Sequence, residues 1–363
     1  MFYIAGRTAL GAAAGLLFMV AACYAQAPES TKTDTAGTLA RLAIDLPQSV
    51  IANATVGGPL AELGRERCDQ DAILQLSKAL DDAGYRREAA VAEVNFSAQC
   101  GGYALALRGA INVLLKLSDF STAESIAANL IKLEPFEDNG YFLRALARDG
   151  QKSYKSAIED YVTAIELFGS KDRISSVSYY NIARDYEKLG QFCDAMLPIE
   201  QWVALDPSRN ESSKTQAILS DYAAKGGCAA ATSGGAEFFP APRPGGVVKV
   251  PVIVNGKNAI FILDTGASFV VLTNSFAKKA NVAVDEGSTV QLQTANGIIP
   301  GKLGRAETIQ LRSLKAASVP LAVEADSSAT FGGADGLLGL SFLSRFDVSI
   351  NGHTVRIATS KPR

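Results

Sequence analysis

The chain has 363 residues, 48% of them apolar and 20% charged, with a formal net charge of −2. That length exceeds what one hydrophobic core usually serves, so two domains plus further segments are expected. The near-neutral balance offers no basic footprint for nucleic acid. The sole histidine, His353, and the absence of Cys-x-x-Cys leave neither a metal site nor a cofactor expected.

At the N-terminus, Arg7 precedes a small and apolar stretch from Thr8 to Ala22, and Ala25-Gln26-Ala27 has the small residues that a signal peptidase reads. Residues 1–27 are therefore expected to be a signal peptide, and the protein to be exported, to the periplasm of a Gram-negative-type cell. The stretch falls short of the ~20 apolar residues of a bilayer span. Val20-Ala21-Ala22-Cys23 resembles a lipobox, which would instead leave Cys23 as a lipid anchor and bring in the membrane as a partner. Either cleavage leaves Cys68, Cys100, Cys193 and Cys228, an even number suited to an oxidising compartment. Three connectivities are open; Cys68–Cys100 with Cys193–Cys228 is preferred because each closes a short loop on its own side of the helical stretch.

Residues 28–60, rich in Ala, Thr, Ser and Gly, read as a poorly ordered leader with a short helix around Gly37–Ile44. Over 61–225 apolar residues recur at helical spacing. The aromatics Tyr85, Phe120, Tyr154 and Phe192 follow at intervals of 35, 34 and 38, and Ala123, Ala157 and Ala195 each stand three residues after the last three. Pro135 and Pro207 each come fifteen residues after their aromatic. This period and pattern resemble the tetratricopeptide repeat. The resemblance implies stacked helix pairs with a continuous core and a face for protein partners, a substrate or a second copy; a mere spacer is the alternative.

The segment 226–246, with Gly226-Gly227, Gly234-Gly235 and a Pro-Gly run to Gly246, reads as a linker whose Pro-rich half could lie along the next domain as a strand. Charge divides there too. Residues 1–240 carry 22 Lys and Arg against 29 Asp and Glu, and the remainder 13 against 8. Opposite signs would permit docking, but solvated, independent surfaces are the plainer reading.

From 247 to 363 the pattern is that of strands. Asn255-Gly256, Asn296-Gly297 and Asn351-Gly352 each lie between β-branched runs, which argues three hairpins in an all-β domain. Within it, Phe261-Ile262-Leu263-Asp264-Thr265-Gly266-Ala267-Ser268 sets a carboxylate at a strand end and follows it with a turn-forming pair, then the apolar Phe269 to Leu272. Ser268 and Ser341 have no histidine in a Ser-His-Asp order, so serine hydrolysis has no support.

These residues, with Val250 to Gly256, the Thr294 to Gly297 turn and Asp335 to Leu343, resemble the retropepsin-like aspartic proteases found in exported bacterial proteins. The overall expectation is a multidomain chain: an N-terminal all-α tetratricopeptide-like domain and a C-terminal all-β retropepsin-like domain. The resemblance implies an aspartic endopeptidase acting on a protein or peptide, with Asp264, Thr265 and Gly266 as the catalytic turn. It implies a substrate-covering flap at Thr294, Ala295, Asn296, Gly297 and Ile298, with a connecting hairpin as the alternative. Leu337, Leu338 and Gly339 would form the second structural signature, packed beside the catalytic loop. The chemistry needs two carboxylates sharing a proton, and the chain has a single Asp-Thr-Gly. The site would therefore form across a symmetric homodimer, Asp264 facing Asp264. Ala267 stands where relatives often carry a serine donor, implying a mildly acidic to near-neutral optimum. The rival from another class is a non-catalytic peptide-binding adaptor that retains the protease fold.

Overall fold

The computed structural model describes residues 34–170, 173–228, 232–240, 246–294, 297–325, 331–351 and 354–359. The expected signal segment with Cys23, the flap residues Ala295 and Asn296, and His353 lie outside them.

Among the described residues thirteen helices come first: α1 (Thr35–Leu42), α2 (Gln48–Ile51), α3 (Ala54–Arg65), α4 (Gln70–Asp82), α5 (Arg86–Gln99), α6 (Ala104–Lys116), α7 (Phe120–Leu133), α8 (Asp138–Gly150), α9 (Tyr154–Leu167), α10 (Val177–Lys188), α11 (Phe192–Leu205), α12 (Pro207–Asn210) and α13 (Ser213–Gly226). From α4 to α11 they form four packed pairs. The repeating aromatics explain the phase. Tyr85 caps α5, while Phe120, Tyr154 and Phe192 open α7, α9 and α11. The repeating alanines are fully buried where helices approach, and the Phe120 ring fits against Gly150, where a Cβ would come within 2.4 Å of it. The region is a tetratricopeptide-like array.

The poorly ordered leader expected over 28–60 is corrected for residues 34–60: the short helix expected around Gly37–Ile44 is α1, and α2 and the first half of α3 follow it. The Asp34 carboxylate accepts from Gly37 N–H at the start of α1, and the Asn53 side chain accepts from Thr55 N–H at the start of α3. Leu42, Ile44, Leu46, Val56 and Leu60 then share one buried cluster with Leu76 and Phe96. Enough apolar side chains lie among the small residues to close the first end of the array. Disulfides Cys68–Cys100 and Cys193–Cys228 tie the array near its two ends, in the preferred pairing.

The β domain contains β1 (Thr232–Ser233), β2 (Ala236–Pro240), β3 (Val248–Val254), β4 (Lys257–Leu263), β5 (Val270–Leu272), α14 (Asn274–Lys279), β6 (Ala283–Val284), β7 (Val290–Thr294), β8 (Gly297–Leu311), β9 (Leu314–Glu324), β10 (Gly336–Leu338), α15 (Leu340–Leu343), β11 (Phe346–Asn351) and β12 (Thr354–Thr359). Pairing runs β9-β5-β10-β4-β3-β8 and returns from β8 to β9, closing a barrel. A smaller sheet has the order β11-β12-β2. Strand β3 shows why these segments pair: Val248, Val250, Val252 and Val254 are buried while Lys249 and Pro251 face out. The β3–β4 hairpin turns at Asn255 and Gly256, both at positive φ (47° and 78°), the conformation that favours this dipeptide.

The expected linker is partly structured. Residues 232–233 pair with β9, and Ala236–Pro240 pairs with β12. Phe239 points into the core and Arg312 stacks over its ring at 4.4 Å, which is what fixes this short strand. Nor are the two halves independent. Ile158, Tyr161, Val162, Ile165 and Ile182 of α9 and α10 form one apolar cluster with Val271, Val290, Leu292 and Leu337 of the β domain. The ion pairs Lys155–Asp285 (2.7 Å) and Arg305–Asp194 (2.8 Å) join the halves as well. Burial of apolar surface, rather than net charge, accounts for most of the docking.

Candidate active site

Asp264 follows the last residue of β4, so the strand delivers its carboxylate to one end of the barrel. Its backbone N–H donates to Leu338 O at 3.1 Å, and its Oδ1 accepts the Gly266 N–H at 2.9 Å. That second bond closes a two-residue Asx turn, which holds the carboxylate over the turn's own backbone. Asp264 is half-buried while Thr265 and Gly266 are exposed. The tip of the turn is thus open to a partner or substrate.

The run Leu337-Leu338-Gly339 supports this turn from behind. Strand β10 lies between β4, to which it is parallel, and β5, to which it is antiparallel. A Cβ on Gly339 would stand 2.1 Å from Phe269 O and 2.7 Å from Ala267 O, so only glycine permits the approach. Immediately beyond, Leu340 N–H donates to Ala267 O (2.8 Å) and Ser341 N–H to Ser268 O (3.0 Å). The loop that carries Asp264 is therefore hydrogen-bonded along its length to the second signature.

Three residues support the site in roles that the sequence does not assign to them. Ser341, fully buried, accepts the Val270 N–H on its hydroxyl at 2.8 Å; its place two residues after Gly339 was the available signal. The Asp335 carboxylate accepts from Ile260 N–H at 2.9 Å and ties β4 to the start of β10. Gln201, on α11, donates from Nε2 to Ser268 O at 2.6 Å. Nothing local in the sequence marks it, because its partner lies in the other domain.

Of the residues expected as a flap, Thr294, Gly297 and Ile298 sit in the β7–β8 hairpin, where Thr294 pairs with Gly297 and its hydroxyl donates to Gly297 O at 2.8 Å. The hairpin rests on the helices. Ile298 packs with Tyr141, Ala164 and Leu167, and Gln291 N–H donates to Thr163 Oγ1 at 3.2 Å. On the other side of the turn, a groove of about 870 Å³ runs between α11, α13 and β11, lined by Val203, Leu219, Thr265, Leu343, Arg345 and Ile350 among others. Within it, burial raises the Glu200 carboxyl above its ordinary pKa, with Arg345 opposing; burial also lowers Arg345. Among the described residues no three His, Cys, Asp or Glu side chains converge in a way that could hold a metal ion.

Residues 250–345 match the family model described as gag-polyprotein putative aspartyl protease. No curated protein matches the chain significantly. Among solved structures, a retropepsin-like aspartic protease from Rickettsia conorii is similar at 20% identity over 35% of this chain and 94% of that one, with a TM-score of 0.28. MamA from Desulfovibrio magneticus RS-1 is similar at 17% identity over 43% of this chain and 86% of that one, with a TM-score of 0.37. The TPR2AB-domain:pHSP90 complex of yeast Sti1 matches at 18% identity over 54% and 86%, with a TM-score of 0.29. The C-terminal domain is retropepsin-like, and it follows a tetratricopeptide-like array.

Proposed function

We propose that this protein is an exported aspartic endopeptidase that cleaves peptide bonds of a protein substrate, with the Asp264 carboxylates of two copies as its catalytic pair. The observation that carries the reading is the Asp264-Thr265-Gly266 turn: its carboxylate is oriented by the Gly266 N–H and its tip is exposed on a loop braced by β10. One chain brings one such turn, so a second copy must bring the other.

The chemistry follows from two carboxylates close enough to share one proton, since like charges at that distance do not both ionise. The ionised Asp264 takes a proton from a water molecule as the water oxygen attacks the scissile carbonyl carbon. The protonated Asp264 of the second copy gives its proton to the carbonyl oxygen. As the tetrahedral diol collapses, the C–N bond breaks, the first carboxyl gives its proton to the departing nitrogen, and one diol hydroxyl returns its proton to the second carboxylate as the carbonyl re-forms, which restores the starting pair. Thr265 would brace the opposite loop through its hydroxyl, and the β7–β8 hairpin would cover an extended substrate.

The signal-like segment 1–27 and the two disulfides support export to the periplasm, where such bonds persist. Cleavage after Ala27 gives a soluble protein; lipidation at Cys23 would tether it to a membrane. The direct test of the enzyme is proteolysis of unfolded casein by wild type and Asp264→Asn. Removing the acid–base group should lower the rate by about 10²–10⁴-fold or more; equal rates would remove the assignment.

A further inference from the structure

We infer that the helical array holds the β domain in a closed state by occupying the apolar surface beside Asp264 and gripping the β7–β8 hairpin, so that peptide binding requires the two domains to part. The inference rests on the proposal that an extended peptide binds along this face of the barrel.

The contacts are extensive and mostly apolar. Helix α9 packs along β7, and Val290 and Leu292 are almost fully buried in the cluster that contains Ile158, Tyr161 and Ile165. Ile298, at the start of β8, is held against Tyr141, Ala164 and Leu167. A hairpin fixed in this way cannot swing to admit a peptide. The same apolar cluster takes in Ile262, Ala267 and Phe269, which flank Asp264 in sequence, and Val271 and Leu337 on the strands behind it. The space left where Val162, Ile165 and Gln201 meet Ser268 and Phe269 is about 20 Å³, room for about one water molecule and not for a side chain.

The holding elements are also of a kind that can release. Gln201 and Thr163 each contribute one hydrogen bond, to Ser268 O and from Gln291 N–H. The ion pairs Lys155–Asp285 and Asp194–Arg305 are partly exposed and so respond to competing charges. Because only the parted fraction of molecules is competent, apparent affinity for a peptide is reduced by that fraction.

The test separates docking from catalysis. In the full chain carrying Asp264→Asn, two independent perturbations are made: the charge reversals Lys155→Glu with Asp194→Arg, and Thr163→Arg, which sets a guanidinium where the Gln291 amide docks. Hydrogen exchange is followed in 290–294 and 297–301, and binding of fluorescein-labelled unfolded casein is followed by anisotropy. Faster exchange of the hairpin together with casein binding tighter by about tenfold or more supports the inference. Adding Asp285→Lys and Arg305→Glu to the reversed pair should return both readouts toward the parent. Faster exchange with no gain in binding overturns it, as does unchanged exchange in both variants. With Asp264 restored, tighter binding without cleavage would sink the protease reading and leave the closed state standing.

Discussion

Gly339→Ala tests most sharply whether the second signature positions the Asp264 loop. The added methyl would lie 2.1 Å from Phe269 O, 2.6 Å from its carbonyl carbon and 2.7 Å from Ala267 O. All three are backbone atoms, so no side-chain rotation relieves the clash; the loop must retreat by about 1 Å to reach ordinary contact distance. Retreat stretches the Leu340 N–H to Ala267 O and Ser341 N–H to Ser268 O bonds on the same loop. Overpacking of this kind costs about 1–3 kcal/mol, and a displacement near 1 Å of a reacting group costs about 10²-fold in rate. Urea unfolding followed by a β-domain probe and kcat/KM on casein measure the two effects. Gly58→Ala is the control, because nothing lies within 4 Å of a Cβ at that position in α3; it should be neutral or stabilising by up to about 1 kcal/mol. If Gly339→Ala matched that control in both assays, the packing argument for the loop would be wrong.

Other expectations concern the array and its supports. Burial pushes the Glu93 carboxyl up to about 8, only partly opposed by Ser77, and the side chain sits over Gly109, whose Cβ would come within 2.4 Å of it. A folded pKa above the unfolded one, near 4.3, makes stability fall as pH rises from about 4 to about 8 and level off above, by a few kcal/mol at most; urea unfolding at pH 5 and pH 8 should show the loss, and Glu93→Gln should flatten it. Opening Cys68–Cys100, with a sequence separation of 32, should cost about 3–4 kcal/mol, read as a lower unfolding midpoint of the Cys68→Ser, Cys100→Ser double variant than of wild type, both without reductant so that Cys193–Cys228 stays closed. Ser341→Ala leaves the buried Val270 N–H without its acceptor and should destabilise the β domain by about 1–3 kcal/mol; an unchanged midpoint would contradict that role.

Legibility in the sequence followed the range of the interactions. The repeat could be read because each unit spends its aromatic and its alanine on contacts within itself or with the next unit, as Phe120 does against Gly150. Hairpins were visible where the turn chemistry is local, as at Asn255-Gly256. Helix α1 is legible as the short helix expected around Gly37–Ile44, but α3 is hidden because Gly57, Gly58 and Pro59 interrupt its composition, and burial of Leu60 and Leu63 in the core outweighs the proline inside the helix. Strand β2 has the composition of a linker, and Phe239 finds its pocket among residues far along the chain. For Asp264 the local signal sufficed to place the turn. Gln201, Thr163 and the grip on the hairpin depend on how two domains meet, and no short-range pattern encodes that.

The central claim, that each catalytic site takes one Asp264 from each of two copies, is tested most directly by subunit mixing. Wild type at fixed concentration is titrated with the Asp264→Asn chain under conditions of free exchange, and casein cleavage is measured. The account predicts that excess variant draws wild-type chains into mixed, inactive dimers and suppresses activity toward zero. Activity that stays proportional to wild-type concentration, however much variant is added, would show that one chain suffices and would contradict it.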